Sequence, residues 1–195
     1  MILARLLAAA FLAAAIPVVA AAQDARRGAE LATPCLQCHG ANGRSQMENI
    51  PSLAGQPADF ITIQMILLRE GLRNAPLMTP FAANLPDQVI EDLAAYFATL
   101  PPGPPEDRRP RDAALFAQGQ ALSGPYRCAT CHVSDYGGRN QIPRIAAQRE
   151  EYLSQTMIAY RDGQRSDPDA QMNGAVFGLS DAQIAALAHY LSQLD

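Results

Sequence analysis

The amino-acid sequence predicts an all-α protein made of two tandem domains, and three observations lead to this prediction. Apolar residues recur at helical spacing in several segments, whereas few segments alternate as strands do. The second half of the chain repeats the first at an offset of 92 to 94 residues. A segment with five prolines lies between the two copies and cannot continue a helix. One helical domain is therefore expected on each side of a proline-rich spacer.

The first 22 residues have the pattern of a secretory signal peptide. Arg5 precedes an uncharged run from residue 6 to 22 that ends in three alanines. We predict cleavage after Ala22 and export to the periplasm. The alternative is an uncleaved membrane anchor, because an uncharged run of this length is at the short limit for a membrane span. No later segment is apolar enough to cross a bilayer, so the mature chain is predicted to have no integral membrane span.

The repeat and the spacer divide the rest of the chain. We predict a first domain over residues 23–100, a linker over 101–111 and a second domain over 112–195. The helices predicted from apolar spacing, proline and glycine positions occupy matching places in the two domains. They span residues 24–32, 57–71 and 87–99 in the first domain, and 111–122, 148–163 and 181–194 in the second. Ser180 and Gln183 have the spacing of a capping box at the start of the last helix.

Two pentapeptides, at residues 35–39 and 128–132, contain every cysteine of the chain. Both have the C-x-x-C-H spacing of c-type haem attachment. In this arrangement two thiols one helical turn apart bind one porphyrin, and the adjacent histidine binds the iron. The cofactors implied are two covalently held haem c groups. The predicted haem-binding cysteines are Cys35, Cys38, Cys128 and Cys131, and the predicted proximal iron ligands are His39 and His132.

Two other uses of a C-x-x-C pair fit the sequence less well. A zinc ribbon needs its second pair about 15 to 20 residues after the first, whereas these pairs are 93 residues apart. A thioredoxin-type dithiol expects a βαβ context, and the pattern here is helical. Haem attachment is therefore the favoured interpretation.

The second axial ligand of each iron is predicted to be a methionine. His189 is the only other histidine, and it lies about 140° round the last helix from the apolar stripe, which predicts an exposed surface side chain. Pairing the repeats places Met78 opposite Met172, 39 and 40 residues after the respective proximal histidines. Histidine and methionine together are the axial pattern of cytochromes c.

The other methionines are predicted to have different roles. Met65 and Met157 also pair in the repeat, but they lie within predicted helices among apolar residues, which favours core packing. Met47 has no counterpart and follows His39 too closely to reach the opposite face of the same iron. The loop around Met172 lacks the prolines that bracket Met78, so equal reduction potentials at the two haems are not expected.

The charge balance restricts the partners. Fifteen basic residues, all of them arginine, face 19 acidic residues and give a formal net charge of −4. A net acidic chain argues against nucleic acid as a partner, because nucleic acid requires a basic footprint. Any basic docking patch for a protein partner must use arginine.

At these residues the chain resembles the dihaem cytochrome c4 family, which is built from two class I cytochrome c domains. The resemblance covers essentially the whole predicted mature chain. It rests on the two C-x-x-C-H motifs, the paired Ile-Pro segments, the two methionine loops and the Leu-Ala-x-Tyr of the final helices. It implies two tandem class I cytochrome c-like domains, each around one covalent haem, with the haems facing each other across the domain interface. It also implies that the carbonyls of Pro51 and Pro143 accept hydrogen bonds from the haem-ligating imidazoles.

The leading functional hypothesis is a non-enzymatic periplasmic electron carrier between a membrane donor complex and a terminal oxidase or reductase. It is expected to be a monomer or a weak dimer. A first alternative is the dihaem cytochrome subunit of a redox enzyme such as a flavocytochrome-type sulfide dehydrogenase. A second is a gas-binding or sensing haem protein in which the second haem lacks its methionine.

Overall fold

The computed structural model describes residues 22–166 and 170–195. Within these ranges the chain forms ten α-helices and no strand, and one isolated antiparallel bridge pairs Arg139 with Ile142. The predicted all-α class is therefore confirmed. None of the helices in these ranges is long and apolar enough to cross a membrane. The predicted signal peptide lies outside the described residues, apart from Ala22.

The helices form two sets with the same order. The first set comprises α1 (Ala25–Leu31), α2 (Thr33–His39), α3 (Ala58–Arg69), α4 (Thr79–Ala82) and α5 (Asp87–Thr99). The second set comprises α6 (Ala113–Ser123), α7 (Cys128–His132), α8 (Glu150–Arg161), α9 (Gln171–Val176) and α10 (Asp181–Ser192).

Six of these helices begin and end within two residues of the predicted positions. The predicted capping box is present, since Ser180 and Gln183 each accept the other's backbone N–H through their side chains. The short helices α2, α4, α7 and α9 were not predicted as separate elements. Segments of four to seven residues contain at most two turns, so a helical apolar period is weak in them.

In each half the first and last helices cross at a glycine. Helix α1 packs on α5, and α6 packs on α10. A β-carbon on Gly28 would collide with the backbone carbonyl oxygen of Asp92, and one on Gly119 would collide with that of Ala186. Glycine is therefore required at both places by the close approach of two backbones.

We expect Gly119→Ala to lower the free energy of unfolding by about 3 kcal/mol, because the added carbon meets backbone that cannot rotate away. Denaturant unfolding of the haem-loaded protein, followed by far-UV circular dichroism, measures this loss. Gly124→Ala is a matched control, since a β-carbon there meets no atom within 4 Å and the residue has an ordinary φ of −67°. Equal losses in the two variants would contradict the close approach of α6 and α10.

The prediction that His189 is an exposed surface histidine is wrong. The residue is 3% exposed, its Nδ1 donates to Glu150 Oε2 at 3.0 Å, and its Nε2 accepts the backbone N–H of Asp112 at 2.9 Å. Helix α10 contacts both α6 and α8, so the face opposite its apolar stripe is covered as well. Both imidazole nitrogens are engaged, and His189 joins the start of α6 to α8 and α10.

Arg149 joins the predicted linker to the second half. Its side chain is 4% exposed, lies 2.7 Å from a carboxylate oxygen of Asp107 in the linker, and donates to the backbone carbonyl of Ser45 in the first half at 3.1 Å. A buried guanidinium needs such partners, because an unpaired buried charge is costly. Arg149 therefore fixes the linker against both halves.

Candidate haem sites

The two C-x-x-C-H motifs form the short helices α2 and α7. All four cysteines are free thiols, as covalent attachment to a porphyrin requires. Burial raises the pKa of the Cys35 and Cys128 thiols. Each motif ends in a buried histidine, at 4% exposure for His39 and 5% for His132.

The two histidines have equivalent hydrogen bonds. Nδ1 of His39 lies 2.8 Å from the carbonyl oxygen of Pro51, and Nδ1 of His132 lies 2.8 Å from that of Pro143. A carbonyl only accepts, so Nδ1 carries the proton in both rings and Nε2 keeps its lone pair. Burial lowers the pKa of both imidazoles, and the proline bonds offset part of this effect. A neutral imidazole with a free Nε2 is the form that binds a metal.

The predicted methionine ligands lie at the starts of matching short helices. Met78 immediately precedes α4, and Met172 is the second residue of α9. At the base of the first loop, Arg69 at the end of α3 donates to the Leu85 carbonyl at 2.9 Å and pairs with Asp87 at 2.7 Å. Arg161 makes the equivalent contacts in the second half. Both loops that carry a methionine are therefore closed at their ends by an arginine.

Met65 and Met157 pack as predicted. Met157 belongs to the buried cluster of the second half, and Met65 packs against the buried cluster of the first. Met47 is 48% exposed.

One continuous cavity of about 930 Å³ extends between the two halves. Its walls are mainly apolar side chains from both halves, and they also include three of the motif cysteines. The predicted ligands that line it are His39 and Met78 from the first half, and His132 and Met172 from the second. A space of this size, with neutral imidazole and thioether donors in its walls, fits haem c in each half.

The second motif contains a strained residue that has no counterpart in the first. Val133 directly follows His132 and has φ 60° and ψ 173°, a region used almost only by glycine. The matching residue in the first half is Gly40, with φ 86° and ψ 148°. A β-branched side chain in this conformation costs roughly 1 to 3 kcal/mol.

We expect Val133→Gly to raise the free energy of unfolding by about 1 kcal/mol, because relief of strain exceeds the added flexibility of the unfolded chain. Denaturant midpoints at constant slope measure the change. The reciprocal variant Gly40→Val should be destabilising, since a β-carbon there would also collide with the carbonyl oxygen of Arg44. A destabilised Val133→Gly protein would argue against strain at this position.

Between the halves, two repeat-related arginines share the same partners. Arg73 donates to Gln64 Oε1 at 2.8 Å and lies 3.4 Å from the Tyr152 hydroxyl. Arg165 makes contacts of 3.0 and 3.4 Å with the same two groups. Burial disfavours the ionised phenol, but the charges of Arg73 and Arg165 outweigh burial and lower the pKa of Tyr152 from 10.0 to about 7.

The lowered pKa of Tyr152 predicts a pH dependence of stability. Between pH 7 and 10 the phenol is ionised in the folded chain and protonated in the unfolded chain. The unfolded state then binds more protons, so the free energy of unfolding should rise with pH in this window. The contribution is lost as the pH falls through 7. Urea titrations at several pH values should show a smaller rise for Tyr152→Phe than for the unchanged chain. Parallel curves would contradict the shift.

Sequence reasoning missed several residues at this interface, notably Arg73, Gln56 and Gln148. The two glutamines are 4% exposed and end the Ile-Pro segments that repeat between the halves. Their equivalence in the repeat was the signal that could have identified them. Their partners lie 88 and 96 residues away, which a single sequence does not show.

Comparison with known proteins decides the family. The family model described as Cytochrome c matches residues 116–195, and that described as Cytochrome C oxidase, cbb3-type, subunit III matches residues 23–97. A cytochrome c4 from Thiocapsa roseopersicina is 38% identical over 168 residues, which cover 82% of this chain and 86% of the relative. The chain belongs to the cytochrome c4 family. Members are dihaem electron-transfer cytochromes, and the two cytochrome c domains imply two covalently bound haem c groups.

A solved structure and a second relative are also similar to this chain. The crystal structure of reduced recombinant cytochrome c4 from Pseudomonas stutzeri has a TM-score of 0.82 at 29% identity, covering 89% of this chain and 100% of that one. The likeness confirms the tandem cytochrome c architecture. A protein of Thiomonas intermedia named thiosulfate dehydrogenase electron acceptor is 31% identical, over 83% of this chain and 78% of its own length.

Proposed function

We propose that this chain is a periplasmic dihaem carrier that takes electrons from a membrane donor complex and passes them to a terminal oxidase or reductase. The observation that carries the proposal is the single cavity whose walls contain a histidine and a methionine from each half. A haem iron bound by both has no free position for a substrate. The geometry therefore supports electron transfer without substrate binding at iron.

The roles of individual residues follow from this proposal. Cys35, Cys38, Cys128 and Cys131 would hold the two haem c groups, with His39 and Met78 on one iron and His132 and Met172 on the other. A bound haem c supplies a one-electron ferrous/ferric couple. The chain buries the sites, fixes the imidazoles through Pro51 and Pro143, and brings the halves together. We propose domain boundaries at 23–100 and 112–195, with residues 101–111 as the linker.

The two halves present different surfaces to a partner. Near Met78 the first half exposes Leu72, Leu77 and Phe81, at 71%, 75% and 55%. Repeat pairing places glutamine opposite the two leucines and alanine opposite Phe81, so among its described residues the second half exposes one large apolar side chain near Met172, Phe177 at 78%. An exposed apolar patch of this kind supports a contact with a protein partner. We propose that redox partners dock on the first half.

The relative named thiosulfate dehydrogenase electron acceptor favours a second possibility for the donor. A thiosulfate dehydrogenase would then replace the membrane complex as the source of electrons, and the chain would remain a carrier. Mixing the oxidised chain with each donor separates the two, because only the true donor reduces it at a rate that saturates with its concentration. A chain that co-purifies with a flavin-bearing subunit would instead support the enzyme-subunit alternative.

Two measurements test the proposal itself. The chain should be recovered in the periplasmic fraction with Gln23 as its first residue. The reduced native protein should keep its spectrum under carbon monoxide, because both axial positions are filled. Carbon monoxide binding without denaturant would overturn the carrier proposal and favour a gas-binding second haem.

A further inference from the structure

Two buried glutamines join the halves in a reciprocal pattern. Gln148 of the second half accepts the Ser52 N–H at 2.7 Å through Oε1 and donates to the Ser52 carbonyl at 2.9 Å through Nε2. Gln56 of the first half does the same to Arg144, at 3.0 Å from its N–H and 2.8 Å from its carbonyl. A backbone N–H only donates and a carbonyl only accepts, so these partners fix the orientation of both amides.

The peptide groups held by these glutamines are the ones that orient the haem-ligating histidines. The peptide bond between Pro51 and Ser52 offers its carbonyl to His39 at 2.8 Å and its N–H to Gln148 at 2.7 Å. A trans peptide directs these two groups to opposite sides. One planar unit thus links an axial ligand of the first half to a side chain of the second.

The second half contains the same arrangement, with the roles of the two halves exchanged. The peptide bond between Pro143 and Arg144 offers its carbonyl to His132 at 2.8 Å and its N–H to Gln56 at 3.0 Å. Gln148 Oε1 also accepts the N–H of Arg149 at 3.0 Å. Gln56 is followed by proline, which has no N–H, so this additional bond has no counterpart there.

Hydrogen bonds in series polarise one another. A glutamine oxygen on the peptide N–H increases the negative charge on the carbonyl of the same peptide. That carbonyl then accepts more strongly from the imidazole Nδ1–H, which raises the basicity of the ligand. A more basic axial ligand stabilises ferric over ferrous iron. The glutamine should therefore lower the reduction potential of the haem in the opposite half.

We propose that Gln148 and Gln56 are crossed positioning residues, each tuning the axial histidine and the reduction potential of the haem in the other domain. This inference rests on the proposed dihaem function and on the assignment of His39 and His132 as axial ligands. It gives the domain interface a role beyond packing. Loosening or opening the interface would change the potential of both haems together.

The test compares Gln148→Leu with Gln56→Leu in the haem-loaded chain by potentiometric titration. Gln148→Leu should favour reduction of the first-domain haem by roughly three- to tenfold, which is about 30 to 60 mV for one electron. The potential of the second-domain haem should change much less. Gln56→Leu should give the reverse pattern. The two variants are controls for each other, because each removes two equivalent interdomain hydrogen bonds, and Gln148→Leu additionally removes the bond from the Arg149 N–H at 3.0 Å.

A role in packing alone predicts a different result. Equal shifts in both haems, a shift only in the glutamine's own domain, or unchanged potentials in both variants would overturn the proposal. The ferric low-spin electron paramagnetic resonance signal gives a second readout, since only the signal of the opposite haem should move. If a leucine variant fails to fold, Gln148→Met and Gln56→Met keep the side-chain length without either hydrogen bond.

Each potential is assigned to its haem with Met78→His and Met172→His, since replacing methionine lowers the potential of that iron alone. These variants also distinguish a wrong ligand assignment from a wrong role of the glutamines. Lack of any effect in both would refute the ligand assignment of the proposed function. If each methionine variant lowers the potential of its own haem, but the glutamine variants do not shift the potential of the haem in the opposite half, only the proposed tuning by the glutamines is refuted.

Discussion

Met78→Ala is expected to reduce the weak far-red absorption of methionine-ligated ferric haem by about half, and Met172→Ala should have the same effect. Each methionine lies at the start of a short helix and lines the cavity that His39 and His132, the proposed proximal ligands, also line. Removing one thioether opens one axial position and leaves the other haem unchanged. The reduction potential of the altered haem should fall, because methionine raises it.

Met47→Ala and Met65→Ala are the matched controls. Met47 is exposed, and Met65 packs against the core of the first half. Neither variant should change the far-red band, although Met65→Ala is expected to cost about 1 to 3 kcal/mol of stability, because the side chain is partly buried. A band that persists in full in Met78→Ala would exclude this residue as a ligand. Persistence in both Met78→Ala and Met172→Ala would refute histidine and methionine ligation.

Replacing the cysteines of one motif is expected to reduce the amount of covalently bound haem strongly. Replacing both Cys128 and Cys131 by alanine should halve the covalently bound haem, from two to one per chain, measured as the pyridine haemochrome after denaturation. The first motif should remain loaded, since each C-x-x-C-H pair binds its own porphyrin. The second half should also lose much of its stability, because a domain of this size buries little apolar surface without the haem.

Replacing Cys35 and Cys38 is the reciprocal experiment. The same halving is expected, with loss of stability in the first half instead of the second. A chain that keeps two covalent haems after either double replacement would contradict the assignment. Loss of both haems from one double replacement would show that attachment in the two halves is coupled.

Much of the fold could be predicted because its signals are local. Apolar spacing and a capping box define the long helices, and the repeat shows that the halves share one plan. The buried state of His189 could not be predicted in this way. Its burial depends on α8 and on the start of α6, whose contacting residues Glu150 and Asp112 are 39 and 77 residues away.

The contacts between the two halves also could not be predicted from the sequence. Gln56 and Gln148 are ordinary polar residues in the sequence, and only the packed structure brings each to the other half's proline segment. The strain at Val133 also could not be predicted, because nothing in the sequence around the second motif gives the backbone angles of this residue. The haem motifs were identifiable because thioether attachment fixes both residue type and spacing.

Coulometric reduction of the full haem-loaded chain tests the central claim most directly. Two haems, each with both axial positions filled, should take up two electrons per chain in two reversible one-electron steps. Reoxidation should return the starting spectrum without consuming any substrate. Uptake of one electron per chain, or a ferrous form that binds an external ligand and fails to return, would contradict the assignment as a dihaem electron carrier.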